Sequence, residues 1–150
     1  MKLTNKFNLP EPIVHAVLNQ GYTPGSSDIT VTQLIQPPLL RQLTKKHWNE
    51  LEEDVVDRIW AVLGSSVHSF LETAYKGTTA RLEERIYAEV RGWKVGGQFD
   101  VLDGDTLSDY KLTSIFGASG KKEWENQLNV LRWLLHKNGT EVKNLEIVII

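Results

Sequence analysis

The stretch Gly96-Gly97-Gln98-Phe99-Asp100, followed by Asp103-Gly104 and then Asp109-Tyr110-Lys111, decides how this chain is read. Asp103-Gly104 is a strong hairpin signal, and it stands between two strand-like runs, Val95 to Leu102 and Thr106 to Leu112. Side chains alternate along a strand, so Asp109 and Lys111 share a face while Tyr110 points the other way. The place of Asp100 depends on register. A two-residue turn at Asp103-Gly104 sets Asp100 opposite Leu107 and diagonal to Asp109. A four-residue turn over 103–106 sets it directly opposite Asp109. A three-residue turn without a bulge separates the two acids. Either of the first two registers leaves the carboxylates on one face, with Cβ atoms roughly 4.5–8 Å apart. Carboxylates that close repel unless a cation or a proton intervenes. With a lysine one pleat away, they can hold a divalent metal and a water beside a phosphate. The plainer alternative is a solvated acidic face, but Leu102 and Leu107 share that face and imply cover.

Working outward, residues from about Glu52 to Lys76 have helical periodicity. Val56, Ile59, Leu63, Val67, Phe70 and Leu71 form one apolar stripe, expected to be buried, and Gly77 ends it. His68 lies one step off the stripe, in line with Gly64 and Glu72. Helical side chains lean toward the N-terminus, so Gly64 leaves space over the patch His68 would cover. A helical glycine costs about 1 kcal/mol against alanine, which room for a ligand or close packing can offset. A lone histidine beside a core stripe reads as structural; beside two same-face carboxylates it reads as a third metal ligand. A second helix over 122–137 carries Trp124, Leu128, Leu131, Leu134 and Leu135 as its buried stripe, and Asn138-Gly139 stops it. Gln127 is a polar amide inside that stripe. An unpaired buried amide costs about 1–3 kcal/mol, so it needs partners, either backbone or the site itself.

Further strand signals are Glu84 to Arg91, with Ile86, Ala88 and Val90 on one face, and a buried run from Leu145 to Ile150. The order of helix, three strands, helix and strand predicts an α/β or α+β core with helices on a mainly central mixed sheet. The 150 residues make a single domain: an extension of loops and short helices over 1–50, then a core over 51–150. In the extension, Ile13 to Leu18 reads as helical turns and residues 21–28 as a loop. Thr32 is expected to cap a short helix that Pro37-Pro38 ends. An apolar run at the last residue, Ile150, implies continuing sequence or a subunit contact such as a homo-oligomer.

Composition narrows the function. There are no cysteines, which excludes disulfides, thiolate-held iron–sulfur clusters and Cys-ligated zinc. Seventeen Lys and Arg against nineteen Asp and Glu give a net charge of −2, so any hold on nucleic acid must come from local patches or a bound cation. No apolar run is long enough to cross a bilayer, and a soluble cytoplasmic protein with no membrane partner is expected.

Taken in order, Gly64 … His68 … Glu72, Gly97-Gln98-Phe99-Asp100, Asp109-Tyr110-Lys111 and Gln127 resemble the PD-(D/E)XK nuclease superfamily, in its RecB-like and phage-type exonuclease branch. Glu123 to Asn129 followed by Trp133-Leu134-Leu135 looks especially phage-like, and the resemblance covers about residues 26–150. It implies a restriction-endonuclease-like core. It also implies a metal-dependent DNA exonuclease of phage or bacterial recombination and repair, in the host cytoplasm if phage-encoded, working on linear ends or single strands. By the same resemblance, His68, Asp100, Asp109 and the Tyr110 carbonyl would ligate Mg²⁺ or Mn²⁺, and Lys111 would orient or deprotonate the attacking water. Gln127 would support the site and the DNA path, and Glu72 would act as an outer acid. Arg41, Lys45, Lys46, Lys121 and Lys122 are candidate contacts to the DNA backbone, with Trp48 or Trp124 stacking on bases. A recombination or single-strand-annealing protein is an implied partner. The family often has tyrosine where this chain has Leu131, which removes one expected DNA contact. The alternatives are a structure-specific endonuclease on the same scaffold and an inactive DNA-binding or assembly module.

Overall fold

A bend in one antiparallel ribbon organises the molecule, whose computed structural model describes residues 1–19, 25–114 and 121–150. In chain order the elements are strand β1 (Lys2–Thr4), helix α1 (Glu11–Leu18), strand β2 (Ile29–Thr30), and helices α2 (Val31–Ile35) and α3 (Pro38–Lys46). Strand β3 (Glu52–Asp54) then leads through a 3-10 turn (Val55–Arg58) into helix α4 (Ile59–Ala74). Strands β4 (Arg81–Leu82), β5 (Arg85–Val90), β6 (Trp93–Gln98), β7 (Val101–Asp103) and β8 (Thr106–Lys111) follow, then helix α5 (Lys122–Lys137) and strand β9 (Asn144–Ile149). The fold is mixed α/β. Its described strands form a parallel pair β1-β3, a sheet in the order β2-β6-β5 and a sheet in the order β4-β7-β8-β9.

The run from Val95 to Leu102, expected as one strand, is two. Leu82 pairs with Val101 and Arg85 with Gln98, so the register carries unbroken across the residues between. The Glu83 N–H donates to the Asp100 carbonyl at 2.9 Å, and the Phe99 N–H to the Glu84 carbonyl at 3.2 Å. One ribbon therefore bends at Glu83-Glu84 and Phe99-Asp100 and serves two sheets. Phe99 and Leu102 both lie in the core although three residues apart, so the inward face changes across Asp100. Glu83 has φ +49°, a left-handed conformation that costs a non-glycine residue roughly 1–2 kcal/mol. At the far end of the ribbon, Arg91 and Gly92 both have positive φ, the signature of a two-residue hairpin that the sequence reading missed.

At the second hairpin Leu102 pairs with Leu107 and Asp103 with Thr106, leaving Gly104-Asp105 as the turn. Extended past Val101↔Ser108, this register sets Asp100 across from Asp109. Strand β9 lies parallel to β8, with Asp109 beside Ile147 and Lys111 beside Ile149. Among the described residues it is an edge strand and only half covered, with Ile149 and Ile150 exposed, so the expected buried strand is covered on one side by β8 alone.

Helix α5 supplies the main apolar contact. Leu128, Leu131, Leu134 and Leu135 are buried against Phe99, Leu102 and Leu107, while Trp124 is half-buried. Gly97 lets this packing close: a Cβ there would stand 2.6 Å from Val31 and 2.7 Å from Leu131.

The first third departs most from expectation. Ile29 and Thr30 pair with Val95 and Gly96, so the N-terminal segment joins the sheet rather than only preceding it. Thr30, not Thr32, caps α2, through a box with Gln33, and Pro38 opens α3 at its first turn, where a missing N–H costs nothing. Residues 21–24 of the expected loop lie outside the described residues. The helix expected from Glu52 begins only at Ile59. Glu52–Asp54 pairs with β1, and the Asp54 carboxylate accepts from Thr4 Oγ1 at 2.8 Å and from the Lys6 N–H at 2.9 Å. The apolar stripe of α4 is not buried: Leu63 and Phe70 are exposed, and Val56, Ile59, Val67 and Leu71 are half-buried. This helix meets the sheet through polar side chains instead. Among the described residues, no helix is long and apolar enough to cross a membrane.

Candidate metal centre

The bend gathers acids that a flat strand would have spread apart. Asp100 and Asp109 come from β-ribbon residues facing each other, and both are largely buried. The Tyr110 N–H donates to Asp100 Oδ2 at 2.8 Å, which leaves Oδ1 turned toward His68, 3.7 Å from its Nδ1. His68 Nδ1 also meets Glu83 Oε1 at 2.8 Å. The other oxygen of Glu83 accepts from Gln98 Nε2 at 2.8 Å, and Gln98 Oε1 accepts from Arg85 at 2.8 Å. His68, Glu83 and Asp100 thus each present a ligand atom within 4.8 Å of the others.

Asp109 is the deepest acid, 2% exposed. Its Oδ2 lies 2.7 Å from Lys111 Nζ as an ion pair. Gln127 joins the two: Nε2 donates to Asp109 Oδ1 at 3.4 Å and Oε1 accepts from Lys111 Nζ at 3.3 Å. The amide within the apolar stripe of α5 is therefore satisfied by site residues and not by backbone. The phenol of Tyr110 lies on the opposite face and meets the Tyr75 hydroxyl at 3.2 Å. Burial and this contact push the Tyr110 phenol up to about 12.

The electrostatics follow from crowding. Burial and the charge of Asp109 raise Asp100 to about 6, against partial relief from the Tyr110 N–H and from His68. Burial also raises Asp109, although Lys111 opposes it. The hydrogen bond to Glu83 raises His68, helped by the charges of Asp100, Glu83 and Asp109 and opposed by burial. Burial pushes Glu83 up, but the hydrogen bonds from His68 and Gln98 outweigh it and the net shift is down. Negative charge here exceeds what the protein neutralises.

The donor set fits a hard divalent cation. It offers two carboxylates and one imidazole, each with a ligand atom within reach of the others. A cleft of about 570 Å³ opens over His68, Glu83 and Gln98 and is floored by Gly64, where a Cβ would meet nothing within 4 Å. Glu72 lines this cleft without joining the three-donor group.

The sequence reading singled out His68, Asp100, Asp109, Lys111 and Gln127, and the fold places these on adjoining elements. It missed Glu83, and it quoted Gln98 within the motif without giving it a role. The signal for Glu83 was the acidic pair Glu83-Glu84, which breaks the alternation of a strand that otherwise runs on. Of the DNA-contact candidates, Lys122 is taken up in an ion pair with Glu125, and Lys121 lies over the Trp124 ring. Lys45 and Lys46 are exposed in the last turn of α3.

No protein-family model and no curated protein matches the chain. Among solved structures, that of SSO0001 is similar, with a TM-score of 0.61 at 20% sequence identity over 83% of this chain and 65% of that one. This chain thus spans a little under two thirds of that protein's length. At such identity the likeness shows a shared fold and nothing about activity.

Proposed function

We propose that this chain is a divalent-metal-dependent deoxyribonuclease, an exonuclease acting on DNA ends in phage or bacterial recombination or repair. The observation that carries the reading is the pair of buried acids, Asp100 and Asp109, held across from each other beside Lys111 and His68. Two buried carboxylates with one ammonium between them are costly to keep for stability alone. Support also comes from the order α4, the bent ribbon of β4 to β7 with β8, α5 and parallel β9, which is compatible with the helix, strands, helix and strand of a restriction-endonuclease-like core.

Mg²⁺ or Mn²⁺ held by His68, Glu83 and Asp100, with Asp109 adjoining, would offset phosphodiester charge and acidify a bound water. The side chains divide the remaining work. Tyr110 N–H fixes one oxygen of Asp100, so the other is presented toward His68. Gln127 grips both Asp109 and Lys111, which keeps the ammonium at the rim instead of folding away. From there Lys111 orients a water or meets a phosphate oxygen. Gln98 and Arg85 brace Glu83 from behind.

The test is incubation with end-labelled linear and closed circular DNA in Mg²⁺, Mn²⁺ or EDTA. Degradation of linear DNA in either metal and none in EDTA is expected, with Asp109→Ala and Lys111→Ala each slowing it by about 10²–10³-fold. Nicked circles would assign an endonuclease on the same scaffold. DNA binding without cutting in any metal would assign a binding module and overturn the reading.

A further inference from the structure

Away from the metal centre, α3 and the tip of the β5–β6 hairpin enclose a groove of about 720 Å³. Its walls carry Arg41, Lys45, Trp48, Trp93, Gln36 and Gln42. An adjoining apolar hollow of about 590 Å³ shares Arg41 and Trp93 with it and adds Trp133 and Arg91. Trp48 and Trp93 are 50% and 57% exposed, large apolar surfaces that a chain seldom leaves in water without use. The cations are uncommitted. Lys2, Lys6, Arg58, Arg81, Lys111, Lys122 and Lys143 sit in ion pairs, whereas Arg41, Lys45 and Arg91 have no ion-pair partner among the described residues.

We propose that this groove binds single-stranded nucleic acid, at a contact separate from the metal centre. Three features together select that ligand. Flat indole faces at the groove wall stack on bases, unpaired cations meet phosphates, and glutamine amides offer both donors and acceptors to base edges. A duplex satisfies the first feature poorly, because its bases are already stacked on one another. An amphipathic partner helix fits less well, since Gln33, Gln36, Gln42 and Thr44 break the apolar floor it would need. Both places touch strand β6, but Trp93 in the groove and Gln98, which braces Glu83, are five residues apart and so face opposite sides of the sheet. A strand held at the groove would have to pass the edge of the sheet to meet the acids. For cleavage this rests on the nuclease reading; for binding it does not.

Fluorescence anisotropy of an end-labelled oligonucleotide of about 15 nucleotides, with the full chain in EDTA, tests it. The single strand is expected to bind at least about tenfold more tightly than the same sequence as a duplex. Trp93→Ala should weaken single-strand binding by about 5- to 150-fold, while Trp93→Phe keeps most of it. Arg41→Ala with Lys45→Ala should lower the salt slope by about 0.7 for each cation removed, and it guards against a tryptophan variant that fails to fold. Equal affinity for duplex and single strand, or unchanged affinity in all these variants, would overturn the proposal. So would saturable binding of an acidic amphipathic peptide without oligonucleotide binding, which assigns the groove to a protein. If no metal supports cleavage but groove-dependent binding persists, the nuclease reading falls and the groove stands. Cleavage that is indifferent to the groove variants, with binding unaltered, does the reverse.

Discussion

Helices α4 and α5 each run 16 residues and both reach the acid cluster, yet they bury different kinds of surface. Helix α5 inserts four leucines into the core and sends one amide, Gln127, to the acids. Helix α4 has no buried residue, leaves Phe70 72% exposed, and sends His68. One helix holds the sheet together and the other walls a cleft. The lesson is that an apolar stripe in sequence is necessary for burial but does not secure it. A helix is buried only where the opposing face of the sheet has matching apolar groups, and the ribbon meets α4 through Glu83 on His68 and through the Tyr110 hydroxyl near that of Tyr75.

The contrast is open to attack on stability. The largest effect should follow Leu134→Ala in α5, a loss of about 2–5 kcal/mol from the missing contacts and the cavity left behind. Leu63→Ala in α4, 44% exposed, should cost less than about 1 kcal/mol. Urea denaturation of both variants reads the difference, and equal losses would mean that α4 is packed as tightly as α5.

Next in size is a pH effect on the cluster between the helices. Asp100 holds its proton up to about 6 in the fold, against 3.8 as a free side chain. The folded state therefore binds more protons over that interval, and stability falls as pH rises through it, by an amount on the order of 3 kcal/mol. The raised His68 acts in the same direction at higher pH: its contribution is complete below its ordinary value and lost as pH passes its folded value. Urea midpoints at pH 4 and 7 without divalent cations should show this fall. Asp100→Asn should flatten it, as should Mn²⁺ at the higher pH, and a fall that survives both would place its source elsewhere.

Two glycines sharpen the same comparison at smaller scale. Gly97→Ala drives a Cβ to within 2.7 Å of Leu131 and should destabilise by roughly 1–3 kcal/mol. Gly64→Ala meets open space in a helix and should stabilise by up to about 1 kcal/mol. Thermal melts of the pair should therefore shift in opposite directions, and a shift in the same direction would refute the assignment of one crowded and one open helix face.

Much of the architecture was legible because it is local. The leucine spacing of α5, Asn138-Gly139 at its end and the strand-forming runs are each set within a few residues. The early strands were not legible, because Lys2–Thr4 and Glu52–Asp54 have no pattern of their own and exist only by pairing with each other across 50 residues. Asp109 and Lys111 were found because strand alternation sets them on one face, Asp100 followed from two of the three hairpin registers, and Gln127 was assigned to the site through the resemblance. Glu83 was not, because its place depends on a bend in the ribbon that no periodicity announces.

Sequence alone determined which side chains were available: a histidine on a helix, two acids and a lysine on a hairpin, an amide in an apolar stripe. It also determined the mixed α/β class, since helical and strand periods are short-range properties of the chain. Only the tertiary structure decided which acids meet the histidine. Hairpin register, the bend at Glu83 and Asp100, and the polar face offered to α4 arise from contacts between segments distant in sequence, where a shift of one residue reverses a side chain's direction.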